Sequence, residues 1–176
     1  MEIKTVFYDM DNTLLEMSEH LVGQKSGRVK IYGALKNVSL NQIMEKLHTK
    51  GLFSQFKPIY RSQPAVRNIL KKGYEVGIIS QPMINDYCVP EKNKTLKKYF
   101  PEIDMTKVTY TFQKHLLAGY GRILVDDHTE HLEKWEKMGG IAVCFTRGYN
   151  KNWKGLRIKK HSELLGIIKQ IEEGVI

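Results

Sequence analysis

Two carboxylates separated by one residue, Asp9 and Asp11, lie within the segment DMDNT. They follow the mainly apolar run IKTVFY, which is typical of a buried parallel strand, and open α/β sheets bind ligands at the ends of such strands. One carboxylate there can attack a phosphate ester and form an aspartyl-phosphate, while the other protonates the leaving oxygen and then activates water. Because a dianionic phosphate repels carboxylates, this chemistry also needs a hard cation such as Mg²⁺.

A second acid pair, Asp126 and Asp127, ends another apolar run in the segment RILVDD. Parallel packing of the two strands would bring both pairs together, and the sequence therefore predicts a metal site. The structural alternative is that these carboxylates cap turns or the helix expected to start near Thr129. Capping by one residue of the second pair is compatible with metal binding by the other.

A third strand end, in the segment GIISQP, lies between the acid pairs. The Ser80 hydroxyl and the backbone N–H groups that follow it, beginning with Gln81, could hold phosphate oxygens. A cation opposite the metal would neutralise the phosphate in transfer, and Lys92 and Lys114 are the candidates. Since the chain has 28 basic residues, an ordinary surface role is the alternative for either lysine.

The hydrophobic pattern predicts the elements that position these residues. Predicted strands cover residues 3–9, 74–80, 107–112, 122–126 and 140–145, and predicted helices cover 62–73, 90–99, 129–138 and 162–173, the last with Ser162 as its candidate N-cap. Strands that alternate with helices indicate an α/β fold built on a parallel sheet.

Residues 17–60 interrupt this alternation. Glycines and lysines come first, and an amphipathic segment over 39–50 follows, with Ser39 and Gln42 at the spacing of a capping box. We interpret the interruption as an inserted, partly helical cap. Three aromatic residues near its end could shape a substrate pocket or form the core of the cap: Phe53, Phe56 and Tyr60. The predicted organisation is a core of residues 1–16 and 61–176 and a cap of residues 17–60.

The composition indicates a cytoplasmic protein that attracts anions. No run approaches the roughly 18 apolar residues of a membrane helix, and the N-terminus resembles neither a signal nor a transit peptide. Cys88 and Cys144 are expected to be buried free thiols. The net charge of +9 favours phosphate-bearing partners, whether small anions or nucleic acid, although scattered lysines can simply keep a surface soluble.

The ordered motifs DMDNT, IIS, an intermediate lysine and LVDD resemble the four signature motifs of haloacid dehalogenase-like phosphatases. Three further segments are similar to the 5'(3')-deoxyribonucleotidases of that superfamily: residues 51–70, the Cys-Val-x-Glu-Lys pattern at 88–92, and residues 124–145. The resemblance implies a Rossmann-like parallel sheet flanked by helices, with a small, mainly helical cap inserted after the first strand. It also implies Mg²⁺-dependent hydrolysis of (deoxy)nucleoside monophosphates through an aspartyl-phosphate.

The same resemblance implies roles for the four acids. Asp9 would be the nucleophile and a metal ligand, and Asp11 would be the general acid/base with its backbone carbonyl on the metal. Asp126 and Asp127 would complete the magnesium shell.

The resemblance also implies phosphate contacts from Ser80, Gln81, Lys92 and Lys114. The chain departs from the family pattern at Gln81, which replaces a hydroxyl residue. It departs again at Met17, which stands where the family has an aromatic residue that stacks on the base.

Two other functions remain open at this point. The basic charge would suit a phosphatase that acts on polynucleotide ends, for which binding should depend strongly on salt. A catalytically idle protein that binds nucleic acid on the same scaffold is the other, although such a protein has no chemical need for both Asp9 and Asp11. A receiver domain is disfavoured because the middle strand ends in Ser80, and a dehalogenase because it has no use for Asp11.

Overall fold

The computed structural model describes residues 1–24 and 39–176. Its strands are β1 (Thr5–Tyr8), β2 (Leu15–Glu16), β3 (Lys57–Pro58), β4 (Glu75–Ser80), β5 (Val108–Tyr110), β6 (Arg122–Asp126), β7 (Ile141–Phe145) and β8 (Leu156–Ile158). Its α-helices are α1 (Ser18–Val22), α2 (Leu40–Leu47), α3 (Ser62–Lys71), α4 (Cys88–Tyr99), α5 (Thr129–Lys137) and α6 (Leu164–Glu172). Short 3-10 helices cover Leu52–Ser54, Met105–Lys107, Lys114–Leu117 and His161–Glu163.

Six of these strands form one parallel sheet with the order β5-β4-β1-β6-β7-β8. The strand β1 pairs with β4 on one side and β6 on the other, so the strand order reverses at β1. A crevice opens at such a switch point, beyond the carboxyl ends of the strands. The predicted α/β fold with a parallel sheet flanked by helices is confirmed.

The strand β1 is mainly apolar because both faces of the sheet are covered. Val6 and Tyr8 are fully buried in the larger hydrophobic core. Phe7 points to the other face and packs edge-on against Trp135 of α5, with ring centroids 5.8 Å apart. Helices on both faces therefore hold β1, and the acids that follow it, in the middle of the molecule.

The last helix begins differently from the prediction. Ser162 lies inside the short 3-10 helix His161–Glu163, and its side chain is not the cap. The Glu163 carboxylate accepts the backbone N–H groups of Lys159 at 2.7 Å and Lys160 at 3.3 Å. The sequence pattern placed a hydroxyl residue at the helix start, but the longer carboxylate reaches back over the turn and satisfies two N–H groups.

The insertion after β1 contains α1 and α2, and the predicted capping box of α2 is confirmed by both hydrogen bonds between Ser39 and Gln42. The antiparallel strands β2 and β3 join the two ends of the insertion, which sequence periodicity had not predicted because each has only two residues. Residues 25–38 of the predicted cap lie outside the described residues.

The described residues include both cysteines and all the helices that can be tested for membrane-spanning length. Cys88 and Cys144 are buried free thiols, as expected. Within residues 1–24 and 39–176, no helix has the length and apolar character needed to cross a membrane.

Candidate active site

Three strand ends meet at the switch point of the sheet. Asp9 follows β1, Ser80 is the last residue of β4, and Asp126 is the last residue of β6. Because β1 is paired in parallel with both neighbours, these residues lie at one edge, where a cavity of about 690 Å³ opens. Six charged side chains predicted from the sequence line this cavity: Asp9, Asp11, Lys92, Lys114, Asp126 and Asp127.

Asp9, Asp126 and Asp127 form a buried carboxylate cluster in which one oxygen of each residue lies within 4.8 Å of the others. The Lys114 ammonium donates hydrogen bonds to Asp9 Oδ1 at 2.5 Å and to Asp126 Oδ2 at 2.8 Å. Lys114 is the first residue of the short 3-10 helix that follows β5. This position brings its side chain to the carboxyl edge of the sheet. The structure thus brings Asp9, both acids of the second pair and this lysine together.

Negative charge dominates the cluster. Burial raises the pKa of Asp9 well above its usual value, Lys114 opposes this, and the neighbouring carboxylates raise it further. Burial and the charge of Asp126 raise the pKa of Asp127 to about 6. Burial would also raise the pKa of Asp126, but Lys114 and His131 outweigh it and hold that pKa below its usual value. Three buried oxygen donors with one ammonium among them fit a hard divalent cation such as Mg²⁺.

Asp11 lies outside that cluster and belongs to a second ion pair. The buried Lys92 ammonium donates to Asp11 Oδ2 at 2.5 Å, to Ser80 Oγ at 2.9 Å and to the Gln81 carbonyl at 2.8 Å. Asp11 Oδ1 is buried and has no hydrogen-bond partner among the described residues. Lys92 reaches this position because it lies on the buried face of α4, one turn after Cys88. The Gln81 side chain is exposed at the mouth of the cavity.

Asp126 closes the turn that precedes α5, but it does not cap the helix, since the N-cap residue is His128 and has no side-chain cap hydrogen bond. Asp126 Oδ1 accepts the backbone N–H of His128 at 2.8 Å, just before α5, and Oδ2 of the same carboxylate lies 3.0 Å from Nδ1 of His131. The two histidine rings lie against each other in a tilted arrangement, with centroids 4.6 Å apart. The turn and the ion pair together fix the orientation of this carboxylate.

Residues after β7 hold Asp127 in place, and the sequence analysis did not find them. The Asn150 amide donates to the Asp127 carbonyl at 2.8 Å and to the Phe145 carbonyl at 2.9 Å. The Tyr149 hydroxyl donates to Asp127 Oδ2, and the Thr13 hydroxyl donates to Oδ1 at 3.0 Å. These partners lie far from Asp127 in the chain or in an irregular loop, so no local pattern marked them.

The loop after β1 is fixed by Asn12 and Arg147. Asn12 has a φ of 58°, a left-handed conformation that asparagine adopts more readily than most residues. Its side-chain oxygen accepts the N–H groups of Met17 at 3.1 Å and Ser18 at 2.9 Å, while its carbonyl accepts Arg147 Nε at 2.7 Å. Asn12 therefore turns the chain sharply between the acid pair and α1.

The part of the cavity away from the acids is mainly apolar. Its lining side chains include Met17, Met44, Leu47, Phe53, Ile84 and Phe112. Of the three aromatic residues predicted near the cap, only Phe53 lines the cavity. Phe56 is buried in the core, and Tyr60 is exposed.

Solved structures share this fold over nearly the whole chain. A haloacid dehalogenase-like hydrolase from Xanthomonas campestris is 13% identical, with a TM-score of 0.62 over 98% of this chain and 93% of its own. A hydrolase of the same superfamily from Streptococcus pneumoniae is 14% identical, with a TM-score of 0.65 over 94% and 98%. A putative beta-phosphoglucomutase from Thermotoga maritima is 15% identical, with a TM-score of 0.60 over 96% and 100%. At these identities the likeness establishes the fold.

Comparison at the level of sequence identifies the family. A search of curated proteins found no match. Residues 4–171 match the family described as 5' nucleotidase, deoxy (pyrimidine), cytosolic type C protein. That range covers every acid and lysine at the edge of the sheet. The chain therefore belongs to this nucleotidase family and is a phosphatase with the haloacid dehalogenase-like fold.

Proposed function

We propose that the chain is a magnesium-dependent phosphatase that hydrolyses deoxynucleoside monophosphates through an aspartyl-phosphate on Asp9. The observation that carries the proposal is the arrangement of two buried lysines around two acid groups: Lys114 on the Asp9 cluster and Lys92 on Asp11 and Ser80. Family membership supports the nucleotide as the substrate class. We also propose the cytosolic location that the family description names.

The chain's own groups suggest how the phosphate is bound. Lys92 and Lys114 place two ammonium groups at the floor of the cavity, where low exposure strengthens their attraction for an anion. The Ser80 hydroxyl and the backbone at Gln81 lie beside Lys92 and offer donors for phosphate oxygens. Asp9 is then adjacent to the phosphorus on the side of Lys114.

The proposed reaction has two steps that share one proton-transfer group. Asp9 attacks phosphorus, the bond from phosphorus to the ester oxygen breaks, and Asp11 gives its proton to the departing oxygen. A water molecule then attacks the phosphoryl group, Asp11 takes a proton from it, and Asp9 is released with free phosphate. The buried Oδ1 of Asp11, which has no partner among the described residues, supports this assignment because it can hold that proton.

Mg²⁺ would be held by Asp9, Asp126, Asp127 and the backbone carbonyl of Asp11. When bound, it would stabilise negative charge on the phosphoryl oxygens and on the nucleophile. The raised pKa of Asp9 supports the need for such a cation, since the nucleophile must be ionised to react. Lys114 alone does not offset the effect of burial and of the neighbouring carboxylates.

We further propose that residues 17–60 act as a cap over a core of residues 1–16 and 61–176. The pairing of β2 with β3 brings both ends of this insertion to one place beside the cavity. Met17, Met44, Leu47 and Phe53 reach the cavity from the insertion. A cap placed there would exclude water from the reacting phosphate and contact the leaving group.

The charge around the cavity favours a small substrate over a polynucleotide end. Among the described residues, Lys92 and Lys114 are the only lysines or arginines that line this cavity, and both are buried on its floor. A polynucleotide would need further exposed cations along its backbone. The +9 charge then speeds the encounter with small anions.

Phosphate release from a substrate panel tests the proposal. The panel contains deoxy- and ribonucleoside monophosphates, sugar phosphates and 5'- or 3'-phosphorylated oligonucleotides, each with Mg²⁺ and with EDTA. We expect release mainly from deoxynucleoside monophosphates, and only with Mg²⁺. Preference for oligonucleotides would favour the polynucleotide-end phosphatase, and silence across the panel would reject the nucleotide assignment.

A further inference from the structure

An exposed phenylalanine borders the catalytic cavity. Phe112 follows β5, two residues before Lys114, and its side chain lines the cavity while remaining 52% exposed. Half-exposed aromatic rings gain free energy when a ligand covers them, and a flat ring system covers them best. Phe112 is therefore a candidate for contact with the substrate itself.

Hydrogen bonds on both sides hold the backbone of Phe112 against the floor of the cavity. The Thr111 N–H donates to the Ser80 carbonyl at 3.1 Å, and the Gln113 N–H donates to the Thr111 hydroxyl at 3.0 Å. The next residue, Lys114, is bonded to Asp9. The position of Phe112 is thus fixed relative to the groups that would bind phosphate.

The other phenylalanine at the cavity has no free face to offer, and the exposed His48 offers only the smaller, polar ring of an imidazole. Phe53 is 1% exposed, its ring packs edge-on against Phe56, and the Lys92 ammonium lies 5.2 Å from its centroid. The rings of His128 and His131 contact each other in a tilted arrangement. Within the described residues that line the cavity, Phe112 therefore presents the accessible phenyl face.

Phe112 lies between the apolar part of the cavity and a smaller pocket that is also lined by Glu130, His131 and Lys134. Ile84 and Met44 also line the cavity and are strongly exposed, at 85% and 41%. A charged leaving group would lose hydration there without gaining a partner. A flat, uncharged ring suits this environment, and it would lie beside the phosphate that Lys92 and Lys114 hold.

We propose that Phe112 determines substrate specificity by stacking on the nucleobase, with Ile84 and Met44 adding apolar contact. This inference rests on the proposed nucleotidase function. It assigns base recognition to the segment between β5 and the catalytic lysine rather than to the inserted residues alone.

Paired substrates test the assignment. kcat/KM is measured for a deoxynucleoside 5'-monophosphate and for deoxyribose 5-phosphate, which carries the same phosphate and sugar but no base. In Phe112→Ala we expect the ratio of the two values to fall by about 5- to 100-fold, the range typical of lost base stacking. Phe112→Trp should keep or raise the ratio. Tyr120→Ala removes a comparably exposed aromatic residue that does not line the cavity, and serves as the matched control.

The outcomes separate the inference from the function on which it rests. An equal loss for both substrates in Phe112→Ala would mean that the residue only supports Lys114, and an unchanged ratio would mean that it does not contact the base. Either result overturns the stacking role while leaving the nucleotidase intact. A wild-type protein that releases phosphate from neither substrate overturns the proposed function and the stacking role together.

Discussion

The floor of the cavity, formed by Lys92 and Lys114, differs from its apolar wall, which includes Ile84 and Phe112, in how firmly the side chains are held. On the floor, Lys114 is 2% exposed and bonded to two carboxylates, and Lys92 is 1% exposed with three acceptors. On the wall, the apolar side chains of Ile84 and Phe112 are 85% and 52% exposed. Groups held this firmly suit phosphate chemistry, whereas exposed apolar side chains suit recognition. Substitutions on the floor should therefore reduce rate, and substitutions on the wall should change selectivity.

Among substitutions that leave the proposed nucleophile in place, the largest effect is expected for Asp11→Asn. The amide keeps the size of the side chain but can neither give a proton to the leaving oxygen nor accept one from water, so kcat should fall by roughly 10²- to 10⁴-fold. Steady-state kinetics measure the loss, and isothermal titration with Mg²⁺ and phosphate should show largely preserved binding. A rate close to that of the wild type would remove Asp11 from the mechanism.

A pH-dependent loss of stability is expected from His161, a buried residue that contacts the loop after β1. Its Nε2 lies 2.9 Å from the Thr13 carbonyl, and burial followed by the charge of Arg147 lowers its pKa to about 4. Between pH 6.5 and 4 the unfolded chain binds a proton that the native protein does not, so stability falls as the pH falls. The contribution is about 3 kcal/mol when the pH has passed below 4.

Denaturant unfolding of wild type and His161→Gln at pH 7 and pH 4 isolates this contribution. Glutamine can donate to the same carbonyl but does not titrate, so the loss of unfolding free energy on acidification should be smaller in the variant. Equal losses in both proteins would show that His161 is already protonated in the native state or does not contribute.

A smaller effect is expected for Tyr149→Phe, because Tyr149 orients Asp127 without being placed on the substrate. If Asp127 is a magnesium ligand as proposed, removal of such a hydrogen bond should reduce metal affinity or activity by about 10- to 100-fold. The Mg²⁺ concentration that gives half-maximal rate should rise, and excess Mg²⁺ should restore part of kcat. If kcat falls without any change in the Mg²⁺ requirement, Tyr149 does not act through the metal.

The smallest effect is expected for Ile84→Ala on the wall. Because Ile84 is 85% exposed, its truncation should reduce kcat/KM for nucleotides by only about fivefold, roughly 1 kcal/mol of apolar contact. Turnover of deoxyribose 5-phosphate should change less. Leu116→Ala, an exposed leucine that does not line the cavity, is the control. A larger loss than that of Asp11→Asn would contradict the division between floor and wall.

Much of the fold followed from the sequence because the signals are local. The strands β1, β4, β6 and β7 are mainly apolar runs bounded by polar residues or turns, and Asp9 follows one such run while Asp126 ends another. The parallel sheet then forces both acids to the same edge. β8 and the β2–β3 pair were missed because they have two or three residues and no measurable periodicity.

The parts of the site that were missed depend on tertiary contacts. Asn150 reaches Asp127 from an irregular loop, and His161 meets Thr13 across 148 positions of the chain. Phe112 is an exposed aromatic residue between polar neighbours, a pattern that a surface loop also shows. The roles of Lys92 and Lys114 needed the family resemblance, because spacing alone does not distinguish them from surface lysines.

Chemical trapping of the phosphoryl group on Asp9 tests the central claim most directly. Turnover of a deoxynucleoside monophosphate with Mg²⁺ is quenched in acid, and mass spectrometry of the peptide that contains residues 9–11 locates the phosphoryl group. An acid-stable, hydroxylamine-labile phosphoryl group is expected on Asp9 and should be absent from Asp9→Asn, which should also be inactive. Near-normal turnover by Asp9→Asn, or a phosphoryl group on another residue, would contradict the claim.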